Sequence, residues 1–325
     1  MSRSFASEGE FVAWLKRRSP SRAVGLRLGI GDDASLVTPA VGHEIILTSD
    51  LSIEGVHFLR RRHPPDAVGH RALARSLSDV AAMGGKPRFA LVSLALSPRV
   101  DRLWVEKFYG GLFRLARRFG VVVVGGDTSL SAKTVMTDVT VVGEVARGQA
   151  LLRTGAKPGD AIYVAGTLGL AAAGLRMLRS GSKPRTTAAL RAHLYPEPQC
   201  RLGQFLSEKR LASAAIDLSD GLSLDLCRLL EASGVGGEIA EDHIPVPSIT
   251  GPRATALSLA LHGGEDYRLL FTVPPSKVSR LPAFFEEIRL HEVGRVCERR
   301  HAIVIEGRKG TRRLIPRGYD HFRRG

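Results

Sequence analysis

Cysteine is scarce in this chain, and the scarcity is informative. Three occur among 325 residues, Cys200, Cys227 and Cys297, widely spaced and without a CxxC pair. Such a set builds neither a disulfide framework nor a zinc knuckle, and it suits the reducing cytoplasm, which is the expected location. Aromatic residues make up only 6%, so the basic clusters lack the interleaved rings that stack on nucleobases. Long apolar runs are missing too. The longest uncharged stretch, 161–175, is broken by Gly166, Gly169 and Gly174 and falls short of the roughly 20 residues that span a bilayer. Glu8 and Glu10 precede any apolar run, so no signal peptide is expected. Also absent are a GxxxxGK[ST] phosphate loop, an HExxH zinc motif and a GxSxG nucleophile elbow. That removes three familiar routes to nucleotide, metalloprotease and serine-hydrolase chemistry.

What remains is an ordinary globular composition, 44% apolar and 24% charged, with enough apolar surface for a sizeable core. Single cores rarely grow past about 250–300 residues, so two domains are expected. The formal net charge of +15 fits nucleic acid, an anionic surface or small polyanionic substrates. Its residues are scattered in short clusters such as Arg60-Arg61-Arg62 and Arg312-Arg313. Neither a nucleic-acid nor a membrane partner is expected from them.

Strand and helix signals alternate through both halves. Ser7 and Glu10 form a capping box ahead of a helix carrying Phe11, Trp14 and Leu15. Strand signals follow at 45–49, 89–96, 121–124 and 135–145; helices are expected after Pro64-Pro65, with Leu73, Leu77 and Val80 in phase, and over 105–119. In the second half, strands are expected at 161–165, 214–218, 267–273 and 291–296, and helices at 168–178 and 222–232. The alternation predicts two α/β domains. The glycine- and proline-containing segment 147–160 is the expected junction, and 180–187 an exposed loop.

Aspartates recur beside glycine or hydroxyl residues: Gly31-Asp32-Asp33, Thr48-Ser49-Asp50, Ser78-Asp79, Gly125-Gly126-Asp127 and Asp217-Leu218-Ser219-Asp220-Gly221. Several directly follow a predicted strand, where α/β folds gather their ligands. Grouped oxygen donors suit Mg2+, which usually takes one or two carboxylates together with substrate phosphates. A glycine beside an aspartate lets backbone approach phosphate oxygens. Singly, each is also a common turn or cap signal, and Ser219 or Asp220 could cap the helix that follows. Five carboxylate-bearing turns around strand ends would repel one another unless cations sat among them. Asp79 is the most telling, because it falls near the apolar face of its helix, one turn before Met83. Weaker signals lead elsewhere. Gly29-Ile30-Gly31-Asp32-Asp33-Ala34 lacks the helix that a dinucleotide fingerprint needs, and Gly166-Thr167-Leu168-Gly169 reads as a tight strand-to-helix connection. His57 and His63 have no third metal ligand nearby in sequence.

Taken together, these motifs resemble the thiamine-monophosphate kinase family. The blocks GIGDDASLV (29–37), TSDLSIEGVHF (48–58), ALARSLSDVAAMGGKP (72–87), GGDTS (125–129), LLRTGAKPGD (151–160), AIDLSDGLSLDL (215–226), GGEDYRLLF (263–271) and GYDHF (318–322) stand in that family's order and cover nearly the whole chain. The resemblance implies an α/β (α+β) architecture of the aminoimidazole ribonucleotide synthetase-like type. Residues 1–147 would form an ATP- and Mg2+-binding, dimer-forming domain, and residues 148–325 a C-terminal α/β domain. It implies a cytoplasmic homodimer that phosphorylates thiamine monophosphate to thiamine diphosphate, with ATP as co-substrate and several Mg2+ ions.

By matching position, the resemblance implies Asp33, Thr48, Ser49, Asp50, Asp79, Asp127, Asp217 and Asp220 as Mg2+ ligands. It implies Tyr109, Gly126, Asp127, Arg153 and Ser219 as ATP contacts, and His57, Glu265 and Tyr319 as the groups that hold thiamine monophosphate. Many members read GGEDYELLF where this chain has Arg268, a change expected to alter a surface contact. No catalytic side chain is implied. Phosphoryl transfer needs alignment and charge neutralisation, and the acceptor phosphate is already ionised, so direct in-line transfer without a phosphoenzyme is expected. Sister families fit less well: selenophosphate synthetase calls for a reactive cysteine or its replacement in the N-terminal glycine-rich region, and no cysteine precedes Cys200.

Overall fold

The computed structural model describes residues 5–180, 188–247, 252–298, 302–308 and 310–319. Residues 181–187 of the expected loop and 320–322 of the last motif lie outside them. The chain forms two compact units, one from the described residues up to Val80 with Gly85–Gly148, the other from Ala81–Gly84 and the described residues from Gln149 onward.

The first unit opens on helix α1 (Glu8–Lys16), whose start is the capping box. Ser7 Oγ accepts the Glu10 N–H at 3.1 Å, and Glu10 Oε2 accepts the Ala6 N–H at 2.6 Å. A small antiparallel ribbon, β1 (Leu26–Leu28) and β2 (Leu36–Val37), comes next. It is followed by β3 (His43–Ile53), α2 (Pro65–Ala82), β4 (Lys86–Leu96), α3 (Arg102–Phe119), β5 (Val122–Leu130) and β6 (Met136–Ala146). These four strands form a sheet in the order β3-β6-β4-β5. β3 and β4 flank β6 antiparallel, while β4 and β5 run parallel. Leu73 and Leu77 of α2 and Phe108, Leu112 and Leu115 of α3 are fully buried, each contributing roughly 1.5–3 kcal/mol of apolar burial. The strand expected at 135–145 is present as β6. It is an interior strand, and its hydrogen-bonding edges are taken by β3 and β4.

The second unit contains β7 (Ala161–Ala165), α4 (Leu170–Ser180), α5 (Ala188–Leu194), α6 (Cys200–Glu208), β8 (Ala214–Asp217), α7 (Leu222–Ser233) and β9 (Gly236–Ala240). After them come α8 (Arg253–His262), β10 (Leu269–Val273), the single turn α9 (Pro275–Val278), β11 (Phe284–Phe285), β12 (Ile288–Cys297), β13 (Ile303–Gly307) and β14 (Gly310–Arg313). The sheet order is β14-β13-β9-β12-β7-β10-β8, with β11 added to β12. β13 pairs parallel with β9; the other described pairs are antiparallel. Every residue of β7 and β10 is buried, so both strands read as continuous apolar runs rather than alternating ones. The alternation of elements therefore yields mainly antiparallel sheets in both units, an α+β build rather than a doubly wound parallel one. Among the described residues, no helix is long and apolar enough to cross a membrane. All three cysteines are free thiols.

Candidate functional site

In the first unit, the aspartate motifs are not all turns. Thr48, Ser49 and Asp50 lie in the middle of β3, Gly125 to Asp127 lie within β5, and Asp79 lies within α2. Successive strand residues face opposite sides of the sheet, so the hydroxyl-aspartate run is divided. Thr48 and Asp50 face the helices: the Thr48 hydroxyl donates to Asp79 Oδ2, and Asp50 Oδ1 pairs with Arg75 Nη2 at 3.0 Å. Ser49 faces the other way, donating to Asp138 Oδ2 at 2.7 Å beside Thr140 Oγ1 at 3.0 Å. Asp127 shares this second face, because Asp138, Ser93 and Asp127 stand in one cross-strand row. Two strand spacings put the backbones of Asp138 and Asp127 about 10 Å apart.

The loop bearing Asp32 and Asp33 joins the same side. Ser35 Oγ donates to Val124 O at 2.7 Å, and Ser19 Oγ donates to Val123 O. Asp33 and Asp127 are exposed, and Asp127 Oδ1 accepts the Thr128 N–H at 2.8 Å. Gly126 has φ +145, and a Cβ there would stand 1.9 Å from Val92 O. No other residue can occupy this position without moving the strand. His57 follows β3 in a tight turn, where its Nδ1 accepts the Ile53 N–H at 3.0 Å. That bond places the ring proton on Nε2, which is then a donor. His63 is also tied to its own turn, accepting the Leu59 N–H, and it is buried.

In the second unit, the turn at 217–221 is the organiser. Asp217 ends β8 and is buried. Helix α7 is capped by neither Ser219 nor Asp220. Instead Asp225, inside the helix, accepts the N–H groups of Asp220 (2.9 Å) and Gly221 (3.1 Å). Asp225 is fully buried, and burial lifts its carboxyl to about 6 against the pull of those N–H groups and Arg228. Arg228 bridges Asp220 (2.5 Å) and Asp225 (2.8 Å).

The segment around Glu265 is bonded onto this turn. Glu265 N donates to Ser219 O at 2.7 Å, and Tyr267 N to Leu218 O at 2.9 Å. Glu265 and Tyr267 hold φ of +70 and +49, left-handed conformations that cost of order 1–3 kcal/mol each in a non-glycine residue. Between them, Asp266 is buried and accepts the N–H groups of Gly169 (2.6 Å) and Ala171 (3.2 Å) at the start of α4. Burial lifts its carboxyl to about 6. A protein carboxylate thus occupies that helix start, and the glycine connection before α4 is structural. Glu265 Oε2 lies 3.2 Å from Nδ1 of His193, a fully buried residue of α5. The C-terminal segment completes the cluster. A Cβ on Gly318 would stand 2.6 Å from Asp220 O, so the next residue, Tyr319, lies beside the turn with its side chain 49% exposed.

Comparison with known proteins matches this architecture. Residues 31–145 match the AIR synthase related protein N-terminal domain, and residues 157–306 the AIR synthase related protein C-terminal domain. Thiamine-monophosphate kinase of Bacillus subtilis (strain 168) is 36% identical over 305 residues, 91% of this chain and 94% of that protein. The chain belongs to the thiamine-monophosphate kinase family. Among solved structures, thiamine-monophosphate kinase from Stenotrophomonas maltophilia K279a has a TM-score of 0.82 and 34% identity, covering 91% of this chain and 95% of its own. AaThiL complexed with AMPPCP and TMP has a TM-score of 0.78 and 31% identity, with 97% of both chains covered.

Against the residues expected of a thiamine-monophosphate kinase, the geometry adds and corrects. Within the first unit, Thr48, Asp50 and Asp79 come together on the helix side, and Asp33, Ser49 and Asp127 lie on the opposite side. Within the second, Asp217, Ser219, Asp220, Glu265 and Tyr319 come together. Arg153 does not join them there. Its carbonyl accepts from Ser233 at the far end of α7, about 18 Å along a 12-residue helix from the turn. Tyr109 is misassigned as an ATP contact. Its ring is 1% exposed, packed against Phe11, Trp14, Phe108 and Phe113, and burial pushes its phenol far above the usual range. Arg268 is half-buried rather than a surface contact; its guanidinium faces Asp266 and Glu197, and burial pulls its pKa down.

Among the described residues, no three His, Cys, Asp or Glu side chains converge as a ready metal cage. The cations that crowded carboxylates require are partly the protein's own, Arg75 for Asp50 and Arg228 for Asp220. Mg2+ fits the remaining donors, which are hard oxygens available one or two at a time beside a glycine-floored strand. Sequence reasoning missed Arg75, Asp138, His193, Asp225 and Asp266. Of these, Arg75, Asp225 and Asp266 sit inside recognised motifs, and the two aspartates carried a signal, being acidic residues at positions the core surrounds.

Proposed function

We propose that this chain transfers the γ-phosphoryl group of ATP to thiamine monophosphate, giving ADP and thiamine diphosphate. The observation that carries the proposal is the turn at 217–221, which holds an acidic group, Glu265, and an aromatic one, Tyr319, against Asp220. A cationic thiazolium and an amino-pyrimidine call for those two partners. Cation–π contact and one charged hydrogen bond supply roughly 2–4 kcal/mol. His57, whose Nε2 is buried, would have to turn outward to donate to an acceptor phosphate. Asp33, Asp127 and Gly126 would receive the nucleotide phosphates, with Asp50, Asp79, Thr48, Ser49, Asp217 and Asp220 as further oxygen donors. Mg2+ bound by these carboxylates would neutralise phosphate charge as transfer proceeds. No side chain needs to become a nucleophile, because the acceptor oxygen is already anionic, and direct in-line transfer follows.

The chain would act as a cytoplasmic homodimer built on its first unit. The support is a row of exposed apolar residues on the outward face of the edge strand β3: Ile45 (47%), Leu47 (71%) and Leu51 (47%). An apolar row of this kind on an edge strand is a docking surface by default.

The decisive assay measures ADP release with ATP, Mg2+ and either thiamine monophosphate or free thiamine. Turnover is expected with the first and not the second. Tyr319→Ala and Glu265→Gln should raise KM for thiamine monophosphate and leave KM for ATP within about twofold. Equal efficiency on free thiamine, or unchanged acceptor kinetics in both variants, overturns the proposal.

A further inference from the structure

The C-terminal segment is bonded to the start of α7 by the hydroxyl of Ser223. Ser223, the second residue of α7, is fully buried. Its Oγ donates to Arg317 O at 2.6 Å, accepts from Arg317 N at 3.1 Å, and lies 2.9 Å from His262 Nδ1. A serine hydroxyl has one proton and two lone pairs. The proton goes to Arg317, so His262 Nδ1 must be a donor, and the hydroxyl's full capacity is used. One residue later, Gly318 passes Asp220 O so closely that a Cβ would clash with it and with Leu224. Upstream, the segment is fixed by Leu314, which is buried and donates its N–H to Ile303 O at 2.8 Å. Between that anchor and Tyr319, it is Ser223 that ties Arg317 to α7, two residues from Tyr319.

We propose that Ser223 is a positioning residue for the acceptor, holding the Tyr319 segment against Asp220 so that the ring is presented in one place. The inference rests on the reading of Tyr319 as an acceptor contact and deepens it. It assigns Ser223 no contact with either substrate.

The test combines hydrogen exchange with steady-state kinetics on the full chain. In Ser223→Ala, exchange in the peptide covering residues 315–319 should rise about tenfold, as expected for losing a bond pair worth about 1–1.5 kcal/mol. KM for thiamine monophosphate should rise about tenfold by the same conversion, with kcat and KM for ATP within about twofold. Ser223→Thr, which keeps the hydroxyl, should restore both. Adding Ser223→Ala to Tyr319→Ala should raise the acceptor KM no further, because the two act through one group. If Ser223→Ala does not fold, Ser223→Cys, with its weaker donor and acceptor, should show the same changes in smaller degree. Wild-type exchange and KM in the folded Ala or Cys variant, while Tyr319→Ala raises KM, overturn the proposal and leave the Tyr319 reading standing. An unchanged KM in Tyr319→Ala overturns both.

Discussion

Asp266 allows the coupling between fold and site to be measured. Its carboxylate is buried at the start of α4 and sits between two left-handed residues of the acceptor segment. Burial lifts it from 3.8 to about 6, outweighing the two N–H groups that favour the charge and the nearby Arg268. In the unfolded chain the carboxyl returns to its ordinary value. Between pH 6 and 4, the folded protein therefore binds a proton that the unfolded chain does not, and stability at this site rises as pH falls. Above pH 6, both states are ionised and the contribution is flat. A displacement of about two pH units at about 1.4 kcal/mol each amounts to roughly 3 kcal/mol across the window.

Asp266→Asn removes the titration while keeping an oxygen that can accept one of the two N–H groups. Urea unfolding of both proteins should be followed from pH 7 to pH 4 by far-UV circular dichroism, because both tryptophans, Trp14 and Trp104, lie in the first unit and would report on it. Wild type should gain on the variant by roughly 2–3 kcal/mol between pH 7 and pH 4. A difference that stays constant with pH, or one that grows towards pH 7, refutes the reasoning. Asp225 titrates in the same range, and subtracting the variant from the wild type removes its contribution.

Asp127→Asn should cut turnover by about two to three orders of magnitude, the usual scale for losing a group that neutralises transition-state charge, with the circular dichroism spectrum unchanged because the side chain is exposed. Full activity in that variant, or in wild type with excess EDTA, removes Asp127 and Mg2+ from the site. Sedimentation equilibrium should give twice the 35.1 kDa chain mass for wild type and the single mass for Leu47→Glu. A wild-type monomer at micromolar concentration ends the dimer proposal.

Much of the fold was legible because its signals are local. The capping box at Ser7 and Glu10, the apolar phase of α2 and α3, and the apolar runs of β7 and β10 need no distant partner to be read. Elements whose residues carry weak intrinsic preference were not legible. The run through Gly125, Gly126 and Asp127 reads as a turn, yet pairing with β4 draws it into β5, because a neighbouring strand supplies the hydrogen bonds that the residue types do not demand. Thr48 and Ser49 fall within the strand expected at 45–49, which continues through Asp50 as β3, and strand alternation sends Thr48 and Asp50 to one face of the sheet and Ser49 to the other. Tyr109 was recoverable: it lies four residues after Val105 and three before Leu112, on the stripe that helical period alone assigns to the core.

The chemistry of the site was written in the sequence as residue types: acids, hydroxyls and glycines in a fixed order. Which of them meet was decided by the tertiary structure. Arg75 neutralises Asp50 and Arg228 neutralises Asp220 only because a helix packs each pair side by side. Glu265 and Tyr319 stand 54 positions apart in sequence and converge on one turn because Ser219 O accepts the Glu265 N–H and Gly318 passes closely against Asp220 O. Side-chain identity sets what a group can bind, and long-range hydrogen bonding and close backbone approach set where it stands.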